Sequence, residues 1–152
     1  MKASGILNAE LSHVIASLGH GDGLLVVDAG FPIPSSSWRI DLAVARDLPD
    51  LRTVLDLVGA ECIVEGITIA DEVETNNPSL HEWIGTRWTG VTIETIPHQE
   101  FLTTAASRAK AVVRTGAFDP WGNVLLTSGV DVPRWFERAD VVVPDYYRDR
   151  LG

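Results

Sequence analysis

The chain has 152 residues, 45% apolar and 22% charged, which suits one domain with a real core and is too short for two ordinary ones. A formal charge of −9, without clustered Lys and Arg, argues against nucleic-acid partners and favours a neutral or cationic small molecule. No run nears the roughly 18 apolar residues of a membrane span, and "MKASGILNAELSHV" lacks the apolar stretch of a secretory signal, so the expectation is a soluble, cytoplasmic protein.

In chain order, Asn8 can cap a helix that carries Leu11, Val14, Ile15 and Leu18 on one stripe and stops near Gly19. The turn "GHGDG" leads into "LLVVDA", a buried strand with Asp28 near its end, which "GFPIP" cannot continue because proline donates no ladder hydrogen bond. Pro49 and Asp50 start a second helix through Leu51, Val54, Leu55 and Val58. "CIVEGITIA" reads as a strand holding the single cysteine, Cys62, as a small buried thiol, and a third helix is expected from near Ala70. "GVTIETI" and "AKAVVRTG" are strands separated by a short helix through Phe101, Leu102 and Ala105, and "NVLLTSGV" is a last apolar strand. The predicted fold is therefore α/β, a single domain with a mainly parallel sheet and helices on both faces. That domain spans residues 1–130. Residues 131–152, where aromatics alternate with charges around two prolines, form an extension expected to pack on the domain or on a neighbouring subunit.

Ligands of such sheets bind beyond the carboxyl ends of the strands, which singles out Asp28 and the loop after it. Asp28 either caps the following turn or serves as a ligand, since a carboxylate leaving a core must be paired. The glycines at 19, 21 and 23 follow a helix and open a strand, the reverse of a dinucleotide loop. His20 is suited to acid–base work near neutrality, though spacing alone favours a cap on the preceding helix's carbonyls. His98 opens a helix just after a strand. In "DPWGN", Trp121 offers an indole face for a sugar's C–H face and Asn123 an amide for its hydroxyls, or the segment is simply a turn with one exposed indole. His20, Asp22, Asp28 and His98 are metal-ligand types without a ligand-like spacing, so no metal is assigned.

"GILNAELSHVIASLGHGDGLLVVDAGFPIP", "WRIDLAV", "PHQEF", "AKAVVRTGAFDPWGNVLL" and "SGV" together resemble the D-ribose pyranase family, which shares a superfamily with the L-fucose mutarotases. The resemblance runs from about residue 4 to Val130. It implies an isomerase that interconverts the pyranose and furanose forms of β-D-ribose without a cofactor. It also implies a homo-oligomer, commonly a decamer of two pentameric rings with sites at subunit interfaces. By that resemblance His20 is the catalytic proton donor, presented by its glycine turn beside Asp28. Asp28 and His98 bind sugar, and Trp121, Gly122 and Asn123 form a binding turn that reaches the site from an adjacent subunit. The family's usual tyrosine is replaced by Trp121, which removes a hydroxyl and leaves open L-fucose or another aldose as substrate. A sugar-binding module without catalysis is the alternative from another class.

Overall fold

The computed structural model describes residues 1–151. Its secondary structure runs α1 (Ala9–Ser17), β1 (Gly23–Val27), β2 (Arg39–Asp41), α2 (Leu51–Glu61), β3 (Val64–Ala70), α3 (Glu72–Asn76), α4 (Pro78–Arg87), β4 (Thr92–Ile96), α5 (His98–Arg108), β5 (Ala109–Arg114), β6 (Val124–Ser128), α6 (Val132–Trp135) and a closing 3-10 helix (Asp145–Arg150).

The caps account for three helix starts. Asn8 and Asp50 each accept the amide of the third residue on, from Leu11 and Thr53 at 2.9 Å, and so satisfy donors that an open helix end leaves free. Asn77 accepts from Leu80 in the same way. Asn77 also corrects the expected third helix, which divides into α3 and α4. Proline excludes the helical conformation from the residue before it, and Asn77 sits at φ −140°, ψ 62°, outside the helix. Pro78 then suits the first position of α4.

The strand order is β2-β5-β1-β6-β3-β4. β1, β2, β3, β4 and β5 share one direction, and β6 runs antiparallel between β1 and β3. The mainly parallel sheet thus carries one antiparallel strand at its centre. Edge strand β2 escapes pattern reading because three residues, with Ile40 buried between exposed Arg39 and Asp41, show too little alternation. Cys62, expected within a strand, instead ends α2 as a half-buried cap.

Alternation along β1 decides the layers. Leu24 and Val26 face one side and pack with Leu11 and Val14 of α1, Val54, Leu55 and Val58 of α2, and Leu80 and Ile84 of α4. Leu25 and Val27 face the other side and pack with Phe31 and with Phe101, Ala105 and Ala106 of α5. A strand buried on both faces must be apolar throughout, which is why "LLVV" has no polar alternation. Each such side chain contributes about 1.5–3 kcal/mol by burial.

The extension lies against the domain. Val132 of α6 is buried. Tyr147 of the 3-10 helix packs its ring 5.6 Å from that of Phe136, and Arg150 reaches Glu65 at 2.8 Å.

Candidate active site

The central antiparallel strand sets the geometry. Because β6 runs against β1, the residue just before β6 meets the residue just after β1. Asn123, 4% exposed, accepts the Asp28 backbone N–H with Oδ1 at 3.1 Å and donates Nδ2 to Asp28 Oδ2 at 3.1 Å. Gly30 N–H donates to the other carboxylate oxygen at 2.6 Å. Asp28 therefore caps its turn, as one of its two readings expected, and also pairs with the Asn123 amide.

The turn that delivers Asn123 is held tightly. Asn77 donates to Asp119 Oδ1 at 2.6 Å and to the Pro120 carbonyl at 2.9 Å, so the cap of α4 also anchors this turn. Trp121 adopts φ 56°, a left-handed conformation that costs a bulky residue free energy and persists only where surroundings enforce it. A Cβ on Gly122 would lie 2.6 Å from the Asp119 carbonyl oxygen, so this position accepts only glycine without a shift.

Asp28, Gly30, Phe31, His98, Trp121 and Asn123 line a cavity of about 430 Å³. That size lies in the range of small-molecule sites. His98 enters it as the first residue of α5, where its backbone N–H donates to Glu72 Oε2 at 2.9 Å. A hydrogen bond from Asp71, ahead of those from its own backbone amide and from the His98 amide, holds the Glu72 carboxyl below its ordinary value, and the Asp71 carboxyl is raised by the same bond. Glu72 thus stays charged beneath the N-terminus of α5, where negative charge is favoured. The His98 Nδ1 is buried without a hydrogen-bond partner among the described residues. Arg114 supports the loop by donating to the Ala29 carbonyl at 3.0 Å while pairing with Asp41 at 3.2 Å.

His20 is elsewhere. It precedes β1 and Asp28 follows it, so a five-residue strand separates them. At roughly 3.3 Å per residue the separation is about 15 Å or more, far outside hydrogen-bond range. The expectation that the glycine turn sets His20 beside Asp28 is therefore corrected: within one chain the two occupy opposite ends of the sheet. Asn123, paired with Asp28 of its own chain, lies at the same end as Asp28 and away from His20. The four residues weighed for a metal divide likewise, Asp28 and His98 at one end and His20 and Asp22 at the other.

At its own end, His20 does not cap α1. Lys110 takes that place by donating to the Ser17 carbonyl, and Asp22 ties the turn by accepting from Gly19 N–H at 2.8 Å and from Lys110 at 2.7 Å. Those two bonds, the one from Lys110 first, hold the Asp22 carboxyl below its ordinary value. Ladder bonds from Gly21 N–H to the Ser128 carbonyl and from Ser128 N–H to the Asp22 carbonyl, both 2.8 Å, fix the turn to the end of β6. His20 Nε2 then lies 2.9 and 3.1 Å from the two carboxylate oxygens of Glu65.

Sequence reasoning missed Asn77, Glu72 and Glu65. An asparagine before a proline is a helix-start signal that could have flagged Asn77. Glu65 and Glu72 carry no local signal, because their partners lie 45 and 26 residues away.

Comparison with known proteins gives consistent findings. The model of the RbsD / FucU transport protein family matches residues 1–131. "D-ribose pyranase 2" of Rubrobacter xylanophilus is 59% identical over 152 residues, covering 100% of this chain and 99% of that protein. "D-ribose pyranase 1" of Streptomyces griseus is 56% identical over 151 residues, covering 99% and 100%. Both alignments take in the C-terminal extension. Bacillus subtilis RbsD, solved in complex with D-ribose, superposes with a TM-score of 0.81 at 35% identity, covering 86% of this chain and 98% of that one.

Proposed function

Because the chain belongs to the RbsD / FucU transport protein family, we propose that it is a D-ribose pyranase, interconverting the six- and five-membered ring forms of β-D-ribose. The observation that carries this reading is the pairing of Asp28 with Asn123 on the wall of a cavity that His98 and Trp121 complete. A charged acceptor held by two neighbours, an amide, an imidazole and an indole face suit a polyhydroxylated ring with one apolar side.

The chemistry is proton transfer around a hemiacetal. The anomeric hydroxyl loses its proton as its oxygen becomes the aldehyde oxygen, the C1–O5 bond breaks, and O5 takes up a proton. After rotation about the chain, the O4 hydroxyl adds to C1 and loses its proton, and the aldehyde oxygen regains one. In this reading Asp28 orients neighbouring hydroxyls, His98 and Asn123 fix the sugar, Gly122 shapes the turn, and Trp121 covers the ring. His20 supplies the proton to the departing ring oxygen. Positioned acid–base groups accelerate such steps by about 10² to 10⁴.

His20 and Asp28 can serve one sugar only if they come from different copies of the chain. The proposal therefore includes a homo-oligomer in which the His20 turn of one subunit closes the Asp28 cavity of the next. A decamer of two pentameric rings and a cytoplasmic location belong to the same proposal. Two-dimensional NMR exchange on D-ribose, D-fucose, L-fucose and D-xylose tests the activity. Faster pyranose–furanose exchange for ribose is the expected outcome, and unaltered ribose exchange would refute it. Light scattering on the same sample tests the assembly, since an active monomer contradicts a shared site.

A further inference from the structure

We propose that Glu65 is a positioning residue for His20 and that Arg150 of the C-terminal extension holds Glu65 in place, so the extension helps to set the orientation and tautomer of the proton donor. The inference rests on the reading of His20 as that donor. A carboxylate accepts and cannot donate, so the ring nitrogen that meets both Glu65 oxygens, Nε2, carries the hydrogen. The neutral ring then has its lone pair on Nδ1, and the imidazolium has its transferable proton there. Glu65 thus selects which nitrogen faces the sugar.

Arg150 Nη2 donates to Glu65 Oε2 at 2.8 Å, one of the two oxygens that meet His20. It is aimed from the extension, where its guanidinium lies 5.8 Å over the Tyr147 ring, which packs on Phe136. A cation there holds the same carboxylate in the pose that meets His20. The other charged groups near this end are largely matched. Lys110 is bonded to Asp22 at 2.7 Å and Arg148 to Asp145 at 3.0 Å, while Asp149 is exposed on the 3-10 helix. The His20, Glu65 and Arg150 side chains are 44%, 22% and 38% exposed, so solvent reaches the triad and the effects are moderate. The family model ends at residue 131, which makes Arg150 an addition beyond the part that the model describes.

The two substitutions differ in the size of their effect. In the full-length oligomer, nitrogen NMR of the His20 ring is expected to show the Nε2–H form, which gives way to a mixture of tautomers in Glu65→Gln and changes less in Arg150→Gln. kcat falls in Glu65→Gln with KM nearly unchanged, and Glu65→Asp restores part of it. An unmoved His20 tautomer in both variants would overturn the proposal. Arg150 is on the surface, so its variant reports even if Glu65→Gln folds poorly. If His20→Ala leaves exchange intact, the function assigned to His20 fails, whereas loss in His20→Ala beside an unmoved tautomer in both other variants defeats the coupling alone.

Discussion

The two ends of the sheet are built differently, although both present a histidine and a carboxylate. At the carboxyl end of β1, Asp28 is locked by a nearly buried amide and a backbone N–H, inside a cavity, next to a His98 ring whose buried Nδ1 has no partner among the described residues. At the amino end, His20 is 44% exposed on a glycine turn, and its Nε2 is committed to Glu65. On the proposed reading, one end holds the sugar in a fixed pose and the other offers a proton from a ring with a chosen nitrogen outward. Since the two lie at opposite ends of the sheet, that reading has two copies of the chain share one site.

The largest effect comes from removing the exposed end. His20→Ala is expected to cost about 10² to 10⁴ in catalysed ribose exchange, measured by NMR magnetisation transfer, while ribose affinity by calorimetry stays within about twofold. A parallel loss of affinity would mean that the two ends are not divided between chemistry and binding. At the other end, Asn123→Ala leaves the Asp28 amide and carboxylate without their partner. It is expected to lower unfolding free energy by about 1–3 kcal/mol in urea and to weaken ribose binding together with it.

Trp121→Tyr has a smaller reach, because the left-handed backbone at this position strains either aromatic equally. Its expected outcome is a few-fold change in the ratio of ribose to fucose exchange with little change in melting temperature. The smallest effect concerns the His20 turn. The Asp22 carboxyl sits below its ordinary 3.8 because Lys110 and Gly19 bond its charged form. That contribution is present above the ordinary value and disappears as pH falls through the lowered one. Asp22→Asn is therefore expected to lower the urea midpoint at pH 7, with the difference closing as the pH falls below the ordinary 3.8 and through the lowered value.

Much of this arrangement is legible in the sequence, and the gaps have physical causes. Asp28 follows from the end of an apolar strand, and His98 from the start of a helix after one, because both rest on local periodicity and a general rule for parallel sheets. The helix starts at Asn8 and Asp50 follow from their capping chemistry. What misleads is closeness in sequence. His20 and Asp28 are eight positions apart and invite placement side by side, yet the extended strand between them drives them to opposite ends of the sheet. The Asp28–Asn123 pair depends on the antiparallel insertion of β6, which no local pattern announces. Glu65 and Arg150 meet across 85 positions, so their pairing is a property of the fold alone.

The division of one site between two chains is tested most directly by mixing two inactive variants. His20→Ala keeps the Asp28 cavity, and Asp28→Asn keeps the His20 turn, so co-expressed chains that assemble at random regain about a quarter of the native sites at shared boundaries. Recovery of ribose exchange to roughly that fraction is the predicted result. A mixed oligomer no more active than its two parents would contradict the shared site.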